Sequence, residues 1–153
     1  MSDQAATLYL DNQLCFPLYA ASRLTTKIYA PLLKELDLTY PQYLVMLVLW
    51  QHADQSVNAI CERLLLESNT VTPLLKRLEQ KKLLTRRRAT EDERKVMVSL
   101  TEKGDELREQ ALSIPEQIVA SFDDGEVTEA EIRQFQKTLW KLVRVLDEKV
   151  EKM

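Results

Sequence analysis

Residues 67–100 read ESNTVTPLLKRLEQKKLLTRRRATEDERKVMVSL, and along them the apolar residues change from a helical spacing to a strand spacing. The first part has apolar residues every three or four positions, which predicts a helix over about 69–82. The second part predicts two strands, Leu83–Arg88 and Val96–Leu100, joined by a charged and polar link. This segment therefore predicts a helix followed directly by a β-hairpin.

A second short helix is predicted just before this segment. Residues 57–66 carry apolar side chains on one side, and the polar break Glu67-Ser68-Asn69 separates them from the next helix. Two helices joined by a few residues, the second with a polar and basic outer face, form a helix-turn-helix pattern. The β-hairpin that follows the second helix in sequence is then a wing.

The rest of the chain predicts further helices on both sides of this core. One runs from near Asn12, capped by Asp11 or Asn12, to Leu36, and the next begins at Thr39. After the wing, a helix is predicted from Thr101 to about Phe122, kinked at Pro115. A last helix starts at the capping box formed by Thr128 and Glu131.

These elements define the expected fold class, which is mainly α with a small β-hairpin wing. We expect a winged helix-turn-helix of six helices in a single domain over residues 1–153. Residues 39–101 would form the winged helix core, and residues 10–36 and 102–153 would form dimerisation helices.

The last predicted helix carries an apolar stripe that needs a partner. Its apolar residues recur at spacings of three and four, close to a coiled-coil seam; they are Ile132, Phe135, Leu139, Leu142, Leu146 and Val150. A second copy of the chain is the simplest partner, which predicts a homodimer through the N- and C-terminal helices. Packing of the stripe against the chain's own core is the alternative.

Charge is distributed unevenly along the 153 residues. The net charge is −3, yet the twenty residues from Lys76 to Lys95 contain nine basic and four acidic side chains. A basic island on an acidic chain indicates a phosphate-binding surface; a solvated helix face is the alternative. No apolar run reaches the length of a membrane span and the N-terminus lacks a secretory signal, so we expect a cytoplasmic protein with no membrane partner.

The winged pattern predicts contacts with double-stranded DNA, at a roughly palindromic operator if the chain is a dimer. The start of the recognition helix would read bases in the major groove, through Ser68, Asn69, Thr70 and Thr72. Phosphates would be contacted by Lys76 and Arg77 and, from the first wing strand, by Arg86 and Arg88. Arg94 and Lys95 lie at the wing tip, where Arg94 suits a narrow minor groove.

The chain has two cysteines, Cys15 and Cys61, and one histidine. They show no metal-ligand spacing, so neither a metal nor another cofactor is expected. Cys61 falls on the apolar side of its helix, which favours a packing role. From the residues alone, an inert buried thiol is the favoured interpretation of Cys15.

Several motifs resemble a known family. The segment from Asp92 to Gly104, DERKVMVSLTEKG, resembles the wing signature of the MarR regulators. The segments 10–19 (LDNQLCFPLY), 38–44 (LTYPQYL) and 70–79 (TVTPLLKRLE) resemble the organic hydroperoxide resistance regulators within that family.

This resemblance implies a homodimeric repressor and not an enzyme. The reactive cysteine of the family matches Cys15, and the tyrosines that hydrogen-bond it across the dimer match Tyr29 and Tyr40, with Tyr19 as a further candidate. An organic hydroperoxide would oxidise Cys15 and release the operator. Because no cysteine follows Cys61, the resemblance implies the one-cysteine mode, in which a small thiol reacts with the oxidised sulfur.

Three other functions remain open at this level. One is a MarR-type regulator released by an aromatic small molecule, with Cys15 incidental. Another is a thiol peroxidase enzyme, for which no resolving cysteine stands at an obvious spacing. The third is an architectural protein that binds DNA without sequence preference.

Overall fold

The computed structural model describes residues 4–153. They divide into two compact units, one ending at Tyr40 and the other beginning at Pro41. The helices and strands are α1 (Cys15–Glu35), α2 (Tyr40–Gln51), β1 (Gln55–Ser56), α3 (Val57–Leu64), α4 (Ser68–Gln80), β2 (Leu84–Arg88), β3 (Val96–Leu100), α5 (Glu102–Ala111), α6 (Ile114–Phe122) and α7 (Glu129–Glu151).

Helix α1 begins at Cys15, three residues later than the predicted start near Asn12. The residues before it form two short 3₁₀ turns, Gln4–Leu8 and Leu10–Asn12. The Asn12 amide donates to the Ala6 carbonyl at 2.7 Å, and the helix has Leu14 at its N-cap without a side-chain hydrogen bond. The predicted cap at Asp11 or Asn12 was wrong because the local turn holds the asparagine amide.

Helix α2 is the central helix that its sequence predicts. Its buried residues face several directions around the helix axis; they are Gln42, Tyr43, Val45, Met46, Val48 and Leu49. In the second unit, fully buried side chains also come from α3, α4 and both strands of the wing, namely Ile60, Val71, Leu75, Leu78, Leu84 and Val98. One apolar core therefore supports the helix-turn-helix and the wing together.

The sheet is antiparallel and has the order β1-β3-β2. The predicted hairpin is confirmed, with Leu84 paired to Leu100 and Arg88 paired to Val96. Strand β1 was not predicted, because its two residues are too few to show a period. Ser56 pairs with Met97 in the sheet, and its hydroxyl accepts a hydrogen bond from the Ala59 N–H at 3.1 Å, so it also caps α3.

The helix predicted over 101–122 is divided into α5 and α6 by a short turn at 112–113. Thr101 caps α5 as expected, its hydroxyl accepting from the Gly104 N–H at 3.0 Å. Pro115 is the second residue of α6, where its missing N–H has no intrahelical partner to lose. If α5 and α6 are counted as one kinked helix, residues 4–153 contain the six predicted helices.

The start of α5 is joined to the turn that follows α4. Thr101 donates from its hydroxyl to the Lys82 carbonyl at 2.6 Å and from its backbone N–H to the Leu83 carbonyl at 3.1 Å. The Trp50 indole N–H donates to the Gly104 carbonyl at 2.9 Å. A Cβ added to Gly104 would lie 2.0 Å from the Leu83 oxygen, so only glycine permits this approach.

Helix α7 begins with the predicted capping box between Thr128 and Glu131. It buries none of its side chains in the single chain. Within the predicted stripe, Phe135 is 54 % and Val150 is 66 % exposed. Over the described part of the chain, none of the helices combines the length and the apolar character needed to cross a membrane.

Candidate nucleic-acid interface and redox site

The recognition helix is α4, which packs against α3. Helix α3 ends at Leu64, the left-handed backbone of Leu65 (φ 53°) turns the chain, and α4 starts at Ser68. Because the inner face of α4 is buried, its start presents polar groups outward. Ser68, Asn69 and Thr70 are exposed, and Thr72 is half-buried.

The predicted phosphate contacts on α4 lie one turn farther along. Lys76 and Arg77 are both exposed. The helix ends at Gln80, and the chain then reverses through Lys82, which has a left-handed φ of 61°. The structure therefore brings the six predicted residues of this helix to one accessible surface.

The wing projects a cation at its tip. The tip is closed by the Ala89 N–H donating to the Lys95 carbonyl at 2.8 Å, and the Lys95 N–H donating to the Asp92 carbonyl at 2.9 Å. Asp92 Oδ1 accepts from the backbone N–H of Arg94 at 3.0 Å and from its Nε at 3.3 Å. The Arg94 side chain is nevertheless 93 % exposed, so its guanidinium can reach a partner.

A cleft of about 400 Å³ separates the recognition helix from the wing. Its walls include Thr72 on the helix side and Arg94 and Lys95 on the wing side. Arg86 also lines the cleft, as do Ser56 and Asn58 at the start of α3, which were not predicted. Their signal in the sequence is a serine placed directly before an apolar helical run, which is typical of an N-cap.

Arg86 is not a free cation. It forms an ion pair with Glu79 of α4, with Nη2 2.8 Å from Oε2. This hydrogen bond holds the pKa of the Glu79 carboxyl below its ordinary value of 4.5. Arg88, two residues later on the same strand, is exposed. The sequence predicted the same phosphate contact for both arginines. It did not predict the ion pair of Arg86 with Glu79, because the alternation of residues along the strand does not reveal a contact with α4.

Cys15 is exposed and is the first residue of α1. Its position in the first turn agrees with the sequence-based expectation. Tyr19 lies one helical turn farther along and is also exposed. The guanidinium carbon of Arg23 lies 5.4 Å from the centre of the Tyr19 ring.

Tyr29 and Tyr40 form an aromatic pair whose ring centres are 4.9 Å apart. Burial raises the pKa of the Tyr40 hydroxyl above its ordinary value of 10.0. Tyr29 is fourteen residues beyond Cys15 on the same helix, which corresponds to roughly 21 Å along the axis. Within one chain, the Cys15 thiol and the Tyr29 hydroxyl are therefore too far apart for a hydrogen bond.

Cys61 differs from Cys15 in its surroundings. It is half-buried in α3, near the start of α4. Burial raises the pKa of its thiol, which disfavours the reactive thiolate. Among the side chains that the structure describes, no group of three or more histidines, cysteines or carboxylates could hold a metal ion.

Sequence comparison identifies the family. The model of the transcriptional regulator SarA/Rot family matches residues 27–111, which is more than half of the chain. The chain belongs to this family. The regulator is 47 % identical over 150 residues to the organic hydroperoxide resistance transcriptional regulator of Bacillus subtilis, covering 97 % of this chain and 99 % of the relative. It is 35 % identical to the HTH-type transcriptional regulator MgrA of Staphylococcus aureus over 99 % of this chain and 100 % of that protein.

Solved structures agree with this assignment. Reduced AbfR bound to DNA, from Staphylococcus epidermidis, superposes on this SarA/Rot regulator with a TM-score of 0.76. The two are 35 % identical over 98 % of this chain and 99 % of that one. AbfR has also been solved in an overoxidized form bound to DNA and in a disulfide form. The predicted winged-helix fold and the resemblance to organic hydroperoxide resistance regulators within a MarR-like family are confirmed.

Proposed function

We propose that this transcriptional regulator is a homodimeric repressor that binds a roughly palindromic DNA operator and releases it when an organic hydroperoxide oxidises Cys15. One observation carries the proposal: the sequence is 47 % identical, over nearly its full length, to the Bacillus subtilis regulator of organic hydroperoxide resistance. The exposure of Cys15 at the start of α1 supports the sensing role.

The DNA-binding part of the proposal rests on the surface that α4 and the wing share. The exposed start of α4 enters the major groove, where Asn69 and its neighbours read base edges. The exposed guanidinium of Arg94 enters the adjacent minor groove, and Lys76, Arg77, Arg88 and Lys95 contact phosphates. The AbfR complexes with DNA have the same fold, which supports this docking mode.

The dimer follows from two features of the single chain. Helices α1 and α7 leave large apolar side chains exposed, among them Leu24 and Ile28 on α1 and Phe135 and Val150 on α7. A second chain that covers them removes this surface from water. A hydrogen bond between Cys15 and Tyr29, which are far apart along α1, has to join two chains.

The chemical step is a two-electron oxidation of sulfur. The Cys15 thiolate attacks one oxygen of the hydroperoxide, an S–O bond forms and the O–O bond breaks. The organic part leaves as an alkoxide, which takes a proton to become an alcohol, and the sulfur becomes a sulfenic acid. A small thiol can then condense with the sulfenic acid to give a mixed disulfide and water. The added group changes the dimer contact and hence the spacing of the two recognition helices.

A gel-shift experiment with and without cumene hydroperoxide tests the proposal. The probe is a duplex selected by the reduced wild-type protein from a random-sequence library. We expect the reduced wild type to bind and the treated wild type to release the probe. Cys15→Ser should bind the probe and keep it after treatment, because serine is not oxidised by the hydroperoxide.

Cys61→Ser is the matched control and should respond as the wild type does. Release of Cys15→Ser by the hydroperoxide would contradict the sensing role of Cys15. Release of both proteins by an aromatic acid without oxidation would instead support the ligand-controlled alternative. Sustained consumption of hydroperoxide with a thiol reductant would support the peroxidase alternative. Equal affinity for the selected duplex and for random DNA would support the architectural alternative.

A further inference from the structure

The contact between Glu79 and Arg86 joins the recognition helix to the wing. Glu79 lies in the last turn of α4 and Arg86 in the middle of β2. One carboxylate oxygen of Glu79, Oε1, accepts from the backbone N–H of Arg86 at 3.1 Å. The other oxygen, Oε2, accepts from Nε at 3.1 Å and from Nη2 at 2.8 Å. Both oxygens are therefore used by one residue, and we call this contact the α4–β2 clamp.

The clamp holds the backbone of the wing and not only a side chain. The hydrogen bond to the Arg86 N–H fixes strand β2 against the end of α4 across the intervening turn. Arg86 is opposite the fully buried Val98 of β3, so β3 and the tip that carries Arg94 follow β2. The clamp thereby sets the angle between the helix that reads the major groove and the tip that reaches the minor groove.

The charges of the clamp argue against a direct role of Arg86 on DNA. Its guanidinium is engaged by Glu79, and the Arg86 and Glu79 side chains are 25 % and 36 % exposed. Arg88 is exposed and, within the described chain, has no acidic partner. On charge alone, an acidic side chain beside a DNA-binding surface weakens binding, so Glu79 would be unfavourable unless it acts through geometry.

We propose that Glu79 and Arg86 are positioning residues for DNA recognition, which act together by fixing the wing relative to the recognition helix. This assignment rests on the proposed DNA-binding function and replaces the phosphate contact that the sequence suggested for Arg86. Arg88, Arg94 and Lys95 remain the phosphate and groove contacts of the wing.

A double-mutant cycle in DNA binding tests the assignment. The affinities of the wild type, Glu79→Ala, Arg86→Ala and the double variant are measured on the library-selected duplex at several salt concentrations. Melting curves of each protein identify a temperature at which all are folded. Glu91→Ala removes a negative charge from the exposed wing tip outside the clamp and is the charge-matched control.

We expect Glu79→Ala and Arg86→Ala each to weaken binding by about fivefold, a modest factor because the pair is partly exposed. The double variant should bind no more weakly than Glu79→Ala, because Glu79→Ala already removes all three hydrogen bonds, whereas Arg86→Ala leaves the one from the backbone N–H. The salt dependence should keep its slope, because no phosphate contact is lost. Glu91→Ala should bind as tightly as the wild type or more tightly.

Two results would overturn the assignment. One is unchanged or tighter binding by Glu79→Ala, as charge alone predicts. The other is a decrease of about one in the salt slope with Arg86→Ala, which marks the loss of a phosphate contact.

A measurement without DNA separates this inference from the proposed function. Hydrogen exchange at the Arg86 amide should be faster in Glu79→Ala than in the wild type, and equal rates would argue against the clamp. If the reduced wild type selected no duplex from the random-sequence library, that result would instead contradict the proposed DNA-binding function.

Discussion

At the scale of single residues, Gly104 shows how little space separates two elements of this regulator. The carbonyl of Leu83 occupies the place of a side chain at position 104, and the Gly104 carbonyl accepts from the Trp50 indole. The contact is formed by backbone atoms, which cannot move aside as a flexible side chain can. A glycine is therefore required here for close approach and not for an unusual φ.

We expect Gly104→Ala to lower the free energy of unfolding by about 2 kcal/mol, because the added methyl group forces the start of α5 away from the turn before β2. Urea denaturation of the folded protein measures the change. Gln110→Ala is the control, since it introduces alanine at an exposed position of the same helix. Equal stability of Gly104→Ala and the wild type would contradict the steric argument.

Cys15 and Cys61 are a second contrast at the residue scale. The sequence distinguished them through helical position and through family resemblance, and the structure adds that Cys15 is exposed and Cys61 is half-buried. The position of Cys15 at the start of a helix was predictable. Its distance from Tyr29 was also implicit in the sequence, because both residues belong to one continuous helix.

At the scale of elements, the recognition helix and the wing are expected to contribute differently to binding. Removal of the Arg94 guanidinium should weaken binding and reduce the salt slope, because this cation reaches the duplex from a highly exposed position. Removal of the Asn69 amide should alter the preferred sequence at one position of the operator by about 1–3 kcal/mol. Fluorescence anisotropy of Arg94→Ala and Asn69→Ala on a panel of duplexes measures both effects.

Arg133→Ala is the control for these variants, since it removes an arginine from α7, where Glu129 already pairs with it. Loss of Arg94 or Asn69 without any change in affinity or preference at fixed salt would contradict the docking model.

The elements themselves were predicted well where they were long or strongly periodic. Strand β3 matched its predicted limits, and α4 began one residue earlier than expected. Strand β1 was missed because its pairing with β3 depends on residues about forty positions away. The start of α1 was misplaced because a 3₁₀ turn competed for Asn12, and the break before Pro115 was interpreted as a bend.

At the scale of the whole molecule, the exposed stripe of α7 is expected to be covered by a second chain. Leu146→Asp places a carboxylate on this stripe, and burying it in an apolar interface is unfavourable. We expect the variant to sediment as a monomer and to lose operator binding, since two recognition helices are needed for a palindromic site. Analytical ultracentrifugation and gel shift measure the two effects.

Gln136→Asp is the matched control, because it introduces the same charge at an exposed polar position of the same helix. A dimeric Leu146→Asp, or a monomeric wild type, would contradict the proposed interface. The stripe itself was visible in the sequence, but the contact surfaces were not, because the residues of one chain do not specify the geometry of the second.

Ser56 belongs to the sheet and to the beginning of α3 at the same time. With β1 on one side and β2 on the other, β3 is the central strand of the sheet. The base of the wing is therefore tied through β1 to the start of α3, while the seven residues between β2 and β3 lie outside the sheet. An operator whose grooves do not match the spacing between α4 and the wing must bend or narrow to be bound. Because this deformation of the DNA costs free energy, we expect such operators to bind more weakly.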